Sequence, residues 1–337
     1  MVVTQQDVAA RAGVSRPLVS LVMRNSPRVS PEKREAVLRA AEELGYRRNT
    51  HAAQLASRRA MILGLVLNEP MNPVYTRLLK ITETQAESEG YGLLLTVNTV
   101  GPEFEREAVG RLLGHRVDGV ILLGTQLSTR DVADLSEQVP VIVVGRKVLG
   151  VDIVSVDDRV GAKLAVQHLV DLGHRDIAHI DGGPNPGSRS RRRSYEQTMR
   201  KNGLPEHVRV IRGNNTEPGG VAAAEALLAG ATQPTAIFAS NDLAAIGVLA
   251  AAQNHGLAVP DDLSVVGFDN TPLSEFSYVN LTTINQPPEM GAAAVGMLIE
   301  RINDPSKPVA TRLFKPELVV RGTTAPLNQA DATTRGA

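Results

Sequence analysis

The stretch Thr4-Gln5-Gln6-Asp7-Val8-Ala9-Ala10-Arg11-Ala12-Gly13-Val14-Ser15-Arg16-Pro17-Leu18-Val19-Ser20-Leu21-Val22 decides how the N-terminal part of the chain folds. Thr4 can cap a helix, with Asp7 three residues on in the place Glu usually takes. Val8, Ala9 and Ala12 then form one apolar stripe at helical spacing. Gly13 ends the helix where a left-handed residue is convenient, and Val14 packs under the turn. Ser15 caps a second helix, and Pro17 sits in its first turn, where a missing N–H costs nothing. Val19 and Val22 face the core, which leaves Arg16, Pro17, Ser20 and Leu21 outward. Ser30-Pro31-Glu32 opens a third helix, expected to run to Leu44 and stop at Gly45. Short helices joined by such a tight first turn make a helix-turn-helix, whose second helix enters the DNA major groove by its N-terminal residues.

Charge agrees with that reading. The 337 residues carry 36 basic and 36 acidic side chains, and residues 1–59 hold 11 of the basic and only 5 of the acidic. A segment of charge +6 on a body of −6 is the footprint of a module that meets phosphates, although a solvated charged surface has the same composition.

The ordered set Asp7-Val8-Ala9, Ala12-Gly13-Val14-Ser15, Val19-Ser20, Val29-Ser30 and Leu44-Gly45-Tyr46 resembles the headpiece of the lac-repressor/gal-repressor family of bacterial transcriptional regulators. The resemblance implies that Asn49 caps a short hinge helix, Thr50 to about Arg58, containing Ala52-Ala53-Gln54-Leu55-Ala56. In the family this helix pairs with its twin in the minor groove, and a leucine, here Leu55, wedges between base pairs and kinks the duplex. Alone, Leu55 would read as an ordinary linker contact. Arg16 is the candidate for base reading, because a guanidinium can bond guanine O6 and N7 together. Pro17 and Leu21 stand where relatives often carry polar readers and offer only apolar contact, for instance to a thymine methyl. Ser15, Ser20 and Asn25 suit phosphates, which set register without specifying sequence. Each can equally be a plain cap or surface residue. Thr4, Asn49 and Ala52 complete the DNA-facing set.

From residue 60 short apolar runs alternate with amphipathic helical stretches. Runs at 61–67, 91–97, 118–123, 139–144 and 151–156 enclose helical patterns near 73–89, 103–115 and 129–137. The theme repeats after Asp158, with strands expected at 177–180, 208–211, 236–238 and 263–268. Strands separated by helices of this length mean a parallel sheet with right-handed crossovers. The fold class is therefore α/β: a small all-α headpiece and a periplasmic-binding-protein-like body of two doubly wound lobes. The resemblance continues through Asp118-Gly119-Val120-Ile121, Leu172-Gly173-His174-Arg175, Ser240-Asn241-Asp242, Val265-Val266-Gly267-Phe268-Asp269 and Leu281-Thr282-Thr283-Ile284. It implies three crossings between lobes, near 158, 288 and 320. The expected parts are a headpiece at 1–48, a hinge at 49–59, and a body at 60–323. Within the body the N-lobe takes 60–158 and 289–318, and the C-lobe 159–288 and 319–323. The last part, 324–337, is expected as a disordered tail with no leucine heptad, so a homodimer is expected rather than a tetramer.

Doubly wound lobes place ligands beyond the carboxyl ends of their strands. The resemblance assigns effector contacts to Arg191, Asn241, Asp269 and Gln286, with Asp158, Asn72, Tyr75 and Arg146 as further candidates. An arginine, an aspartate and amides in one cleft suit hydroxyl-rich ligands such as sugars. Asn241 reads equally as a helix cap, and Asp269 as a turn residue. Two departures stand out. Asn215 occupies a position often filled by a stacking aromatic, and Arg146 falls where some sugar binders carry a carboxylate. With Arg189, Arg191, Arg192 and Arg193 nearby in sequence, either an anionic effector or simple solvent exposure explains the arginines.

The composition, 42% hydrophobic and 21% charged, is that of a folded soluble protein, and no apolar run approaches a membrane span. No signal-like start and no cysteine occur, so a cytoplasmic protein without disulfide or thiolate metal site is expected. Gly182-Gly183-Pro184-Asn185-Pro186-Gly187-Ser188-Arg189 lacks the lysine of a phosphate loop. No nucleophile elbow is present and the seven histidines are scattered, so neither an enzyme, a metal nor a cofactor is expected. The expected partners are double-stranded DNA with a pseudo-palindromic operator, a small-molecule effector and a second copy of the chain. The alternatives are a periplasmic-type solute-binding protein and a co-repressed regulator responding to a purine or other metabolite. Leu55→Ala is expected to weaken specific operator binding and spare effector affinity; equal operator affinity in mutant and wild type would sink the hinge reading.

Overall fold

The computed structural model describes residues 3–23, 26–46, 59–98 and 101–327. The chain divides into two compact units, Met1–Ala60 and Met61–Ala337. In the first, the described helices are α1 (Gln5–Ala12), α2 (Arg16–Met23) and α3 (Pro31–Glu43). The capping box forms as expected: Thr4 N donates to Asp7 Oδ2 at 2.7 Å, and Asp7 N donates to Thr4 Oγ1 at 3.4 Å. Gly13 takes φ 65°, and the Val14 amide returns to the Ala9 carbonyl at 3.0 Å. Val8, Val19, Val22, Val29 and Val37 bury the small core. Leu21, expected outward, is instead half-buried against this core, because Leu18, Val19, Leu21 and Val22 form one wide apolar arc on α2. The expected hinge, with Asn49, Ala52 and Leu55, lies outside the described residues, as does Asn25.

In the second unit, one lobe is built on β1 (Ile62–Asn68), β2 (Gly92–Asn98), β3 (Gly119–Leu123), β4 (Val141–Val144), β5 (Asp152–Val156) and β11 (Thr311–Phe314). Among the described residues these form a parallel sheet in the order β11-β5-β4-β3-β1-β2. The inner strands β1, β3, β4 and β5 are buried nearly continuously, the pattern of a sheet covered on both faces, while the edge strands β2 and β11 are more exposed. Helices α4 (Pro73–Ser88) and α11 (Met290–Asn303) cover one face, and α5 (Pro102–Gly114) and α6 (Thr129–Ser136) the other. Arg301 grips Asp152 through Nε and Nη2 at 2.9 and 3.0 Å, which fixes the late helix α11 to β5.

The other lobe is built on β6 (Ile177–Asp181), β7 (Arg209–Arg212), β8 (Ala236–Ala239) and β9 (Ser264–Val266), parallel in the order β7-β6-β8-β9. Its helices are α7 (Asp158–Asp171), α8 (Ser188–Lys201), α9 (Glu217–Leu228) and α10 (Asp242–Asn254). Helices α9 and α10 touch backbone to backbone. A Cβ on Gly247 would lie 2.3 Å from the Glu217 carbonyl oxygen, so only glycine allows that approach. An antiparallel pair, β10 (Thr283–Asn285) with β12 (Glu317–Val319), joins the lobes. The chain crosses between β5 and α7, between β10 and α11, and at Lys315-Pro316. The third crossing comes a few residues before the expected 320, because β12 already pairs with β10.

The expected disordered tail at 324–337 is corrected at its start. Thr324 Oγ1 lies 3.0 Å from His168 Nε2, the Ala325 carbonyl 3.1 Å from His174 Nε2, and the Leu327 amide donates to Leu172 at 2.9 Å. Buried polar groups of the C-lobe need these partners, so the segment packs. Residues 328–337 lie outside the described residues. His174 Nδ1 also reaches Thr235 Oγ1 at 3.0 Å, so both ring nitrogens serve structural bonds.

His179 lies fully buried on β6, its ring 4.8 Å from that of Phe238 and 5.2 Å from that of Tyr195. Its Nδ1 lies 2.8 Å from the Phe238 carbonyl, while Nε2 has no partner among the described residues. Burial pushes its pKa from 6.5 down to about 4, so the ring is neutral in the fold. The unfolded chain therefore binds the extra proton, and the stability this ring supports is complete above pH 6.5 and lost as pH falls through 4. Between pH 7 and 4 the wild type should lose about 3 kcal/mol more than His179→Phe, from the size of that shift. Urea titrations of both proteins across that range check this, and parallel pH profiles would refute it.

Candidate functional site

The strand ends of the two lobes converge at the crossings, and this places the chemistry. Asn72 follows β1 and caps α4, its Oδ1 accepting from the Val74 amide at 3.2 Å. Asp158 opens α7 directly after β5, and Arg191 lies in the first turn of α8. Asp269 follows β9 at φ 119°, a backbone strain that its amide bond to the Ile284 carbonyl, 2.8 Å, helps to hold. Gln286 follows β10 at the second crossing.

Arg191 is the hub. Only 6% exposed, it donates Nε to Asp158 Oδ1 at 2.8 Å and Nη1 to the Ser240 carbonyl at 2.6 Å. Asp269 Oδ1 lies 3.8 Å from Nη1, and the guanidinium carbon sits 3.6 Å from the Phe268 ring centroid. Burial alone would lower the Arg191 pKa, but the charges of Asp158 and Asp269 outweigh it and raise the pKa. Burial raises the pKa of Asp269, against the pull of Arg191 and of Gln286, whose Nε2 donates to Asp269 Oδ1. Burial likewise raises Tyr75 on α4, whose ring lies against Gly124. Together with Asn72, these residues enclose a cavity of about 20 Å³, room for about one water. Five of the predicted positions, Asn72, Tyr75, Asp158, Asp269 and Gln286, thus meet around Arg191.

Asn241 does not join them at the cavity wall. Its Oδ1 caps α10 through the Ala244 amide at 2.9 Å, and its Nδ2 donates to the Asn215 carbonyl at 3.1 Å. The helix-cap reading therefore describes the bonds that Asn241 makes in this structure, away from the walls of that cavity. Asn215 itself reaches the cavity wall, with Oδ1 accepting from Ser240 Oγ at 3.0 Å. Arg146 lies apart, in a larger adjoining pocket of about 650 Å³ shared with Ser155, Asp157, Arg159 and the 183–190 loop.

Two residues of this region were missed in the sequence. Arg77 on α4 donates to the Asn270 carbonyl at 3.0 Å and to the Gln286 carbonyl at 2.7 Å, tying the N-lobe to the segments that carry Asp269 and Gln286. Glu105 on α5 is fully buried, accepting from Asn68 Nδ2 at 3.0 Å and from the Gln126 amide at 2.9 Å. Its position on a helix with the pattern Pro-Glu-Phe-Glu-Arg-Glu reads as solvent-exposed, and only the Asn98–Asn68–Glu105 chain of bonds shows otherwise.

In the first unit, Thr4, Ser15, Arg16 and Pro17 are exposed around the start of α1 and the first turn of α2, and Ser20 is half-buried. Among the described residues no group of His, Cys, Asp and Glu is placed to hold a metal ion, and no helix is long and apolar enough to cross a membrane.

Comparison with known proteins places both parts. Residues 4–49 match the family described as bacterial regulatory proteins, lacI family, and residues 166–324 match a periplasmic binding protein-like domain. The HTH-type transcriptional regulator DegA of Bacillus subtilis is 37% identical over 97% of this chain and 100% of its own length. The solved lac repressor dimer bound to operator and the anti-inducer ONPF aligns with a TM-score of 0.86 at 28% identity, over 96% of this chain and 100% of that one. The transcriptional regulator CelR in complex with cellobiose aligns at 0.71 and 32% identity, over 95% and 99%.

Arg191→Met removes the counter-charge from Asp158 and Asp269 and should cost about 3–5 kcal/mol of unfolding free energy, as for any buried pair broken on one side. Denaturant melts test it; a loss below about 1 kcal/mol, the scale of a surface ion pair, would mean that the cluster is solvated.

Proposed function

The chain belongs to the lacI family of bacterial regulatory proteins, and from that premise we propose that it is a repressor whose operator affinity is set by a sugar or sugar derivative bound between the lobes of its body. The observation that carries the effector half of this reading is the Arg191 hub. It puts a fork of donors, two carboxylates and the amides of Asn72 and Gln286 around one cavity at the lobe crossings. Sugar hydroxyls both donate and accept, and a rim of this kind serves both needs. In CelR the bound molecule is cellobiose, which supports the same ligand class here.

The hub's groups bond to one another, and the inner cavity has room for about one water. An effector must therefore part the lobes or replace these bonds. The Arg77 bonds to Asn270 and Gln286 then carry the change into α4 of the N-lobe. Effector and operator are coupled if the two states differ in affinity for both, and the coupling is reciprocal.

On the DNA side, a homodimer sets two headpieces on a pseudo-palindromic operator. Arg16 reads a guanine edge, Pro17 and Leu21 give apolar contact, Ser15, Ser20 and Asn25 hold phosphates, Thr4, Asn49 and Ala52 complete the DNA-facing set, and Leu55 wedges between base pairs in the minor groove. The lac repressor solved with its operator is a dimer, which supports this assembly. A DNA-bound regulator works in the cytoplasm and acts by binding, without catalysing a reaction.

Two measurements test the reading. A palindromic site selected from random duplexes should bind Arg16→Ala about 10- to 100-fold more weakly than wild type at fixed salt, the worth of one bidentate base contact. Equal affinity would remove Arg16 from base recognition. A thermal-shift panel of sugars and sugar derivatives should yield a compound that also changes operator affinity. At about 100 times its dissociation constant it stabilises the fold by about 2.7 kcal/mol. A stabilising compound that leaves operator affinity unchanged would break the proposed coupling.

A further inference from the structure

The larger pocket beside the hub has a wall that the described residues do not satisfy. Ser155 on β5 is 3% exposed, and among the described residues its Oγ has no hydrogen-bond partner. Arg146, just beyond the end of the neighbouring strand β4, gives one terminal nitrogen to the Leu127 carbonyl, but its buried Nε has no partner among those residues. Both residues line the same pocket, at the carboxyl ends of adjacent parallel strands, where such sheets bind ligands. Buried donors are almost always satisfied, so two orphans in one wall call for an acceptor.

The charges there set the sign of that acceptor. Lys147, Arg159 and Arg189, from three separate segments, reach the same wall. Two carboxylates, Asp157 and Asp158, share this wall and are outnumbered by Arg146, Lys147, Arg159 and Arg189. Asp157 Oδ1 caps α7 through the amides of Arg159 and Val160 at 3.1 and 3.2 Å, and Asp158 takes Nε of Arg191. Glu105, close enough to act on Arg146 by its charge, accepts from Asn68 and Gln126. A neutral ligand would offer Arg146 Nε and Ser155 Oγ hydroxyl acceptors only, and no negative charge to the cations of this wall.

We propose that the effector carries an anionic group, a phosphate or carboxylate, held in this pocket by Arg146 and Ser155 within the positive field of Lys147, Arg159 and Arg189. The proposal rests on the reading that the hub binds the hydroxyl-bearing part of the same molecule. The two cavities share Gly145, Val156, Asp158 and Pro186 in their walls, so one ligand can span both.

The probe is inorganic phosphate, titrated calorimetrically into the full-length protein at constant ionic strength. Wild type should bind it, Arg146→Gln about tenfold more weakly, and Ser155→Ala more weakly by a smaller factor, while the exposed control Lys163→Gln matches wild type. Equal phosphate affinity in wild type and Arg146→Gln, as for uptake by the basic headpiece alone, overturns the subsite. So does the absence of phosphate binding. Should Arg146→Gln fail to fold, the double variant of exposed residues Lys147→Gln and Arg189→Gln gives the same test with the same expected direction.

A matched set of a neutral sugar, its acid and its phosphate then separates this proposal from the reading beneath it. Acid or phosphate binding more tightly than the neutral sugar, in an Arg146-dependent way, supports the subsite and tells its two ligand chemistries apart. Neutral sugars binding best and shifting operator affinity overturns the anionic subsite and leaves the sugar-responsive cleft standing. Arg146-dependent phosphate binding, with no sugar acid or phosphate shifting operator affinity, supports the subsite and overturns effector control.

Discussion

One buried guanidinium organises the centre of the body. Arg191 joins the start of α7 through Asp158, the end of β8 through the Ser240 carbonyl and the end of β9 through Asp269, and it rests on Phe268. A charge this deep is tolerated only when it is paired and hydrogen-bonded on several sides, so every element that supplies a partner is held to it. The first crossing, the loop after β8 and the strained residue after β9 are therefore placed by a single side chain. The same arrangement leaves the carboxylates of Asp158 and Asp269 at a cavity wall rather than in a closed core.

Around that hub the lobes are built to different tolerances. The α9–α10 contact needs glycine at 220 and 247 because backbone meets backbone there. Helix α11, by contrast, comes from late in the chain and is held to the first lobe by Leu298 packed over Gly119 and by the fork of Arg301 on Asp152. The interleaving has a mechanical consequence. Three separate strands of chain link the lobes, and Arg77 bonds to two carbonyls beside the second link, so a change at Asp269 or Gln286 reaches α4 through a short bonded path.

Much of this was legible in the residues. The helix-turn-helix followed from Thr4, Gly13, Ser15 and Pro17, and strands β1 to β9 fell within a few residues of the apolar runs that announce them. The meeting of Asp158, Arg191, Asp269 and Gln286 came from resemblance, since no spacing in the chain connects residues so far apart. Where the reading erred, a short-range rule met a long-range one. Leu21 reads as outward beside Val19 and Val22, but the apolar arc of α2 is wider than those two valines. The tail reads as disordered from its composition, yet His168, His174 and Ser264 each take a partner that Thr324 and Ala325 supply.

Element order, the helix-turn-helix and the alternation of strand and helix can be read along the chain, because these depend on periodicity and caps within a few residues. Which polar groups are consumed and which are left over emerges only once distant segments pack together. Asn241 is spent on a cap, and Glu105 is buried against Asn68 and Gln126. Ser155 and Arg146 are left with atoms that nothing among the described residues satisfies. Hydrogen-bond satisfaction is a property of neighbours brought from distant parts of the chain, and no local pattern of residues encodes it.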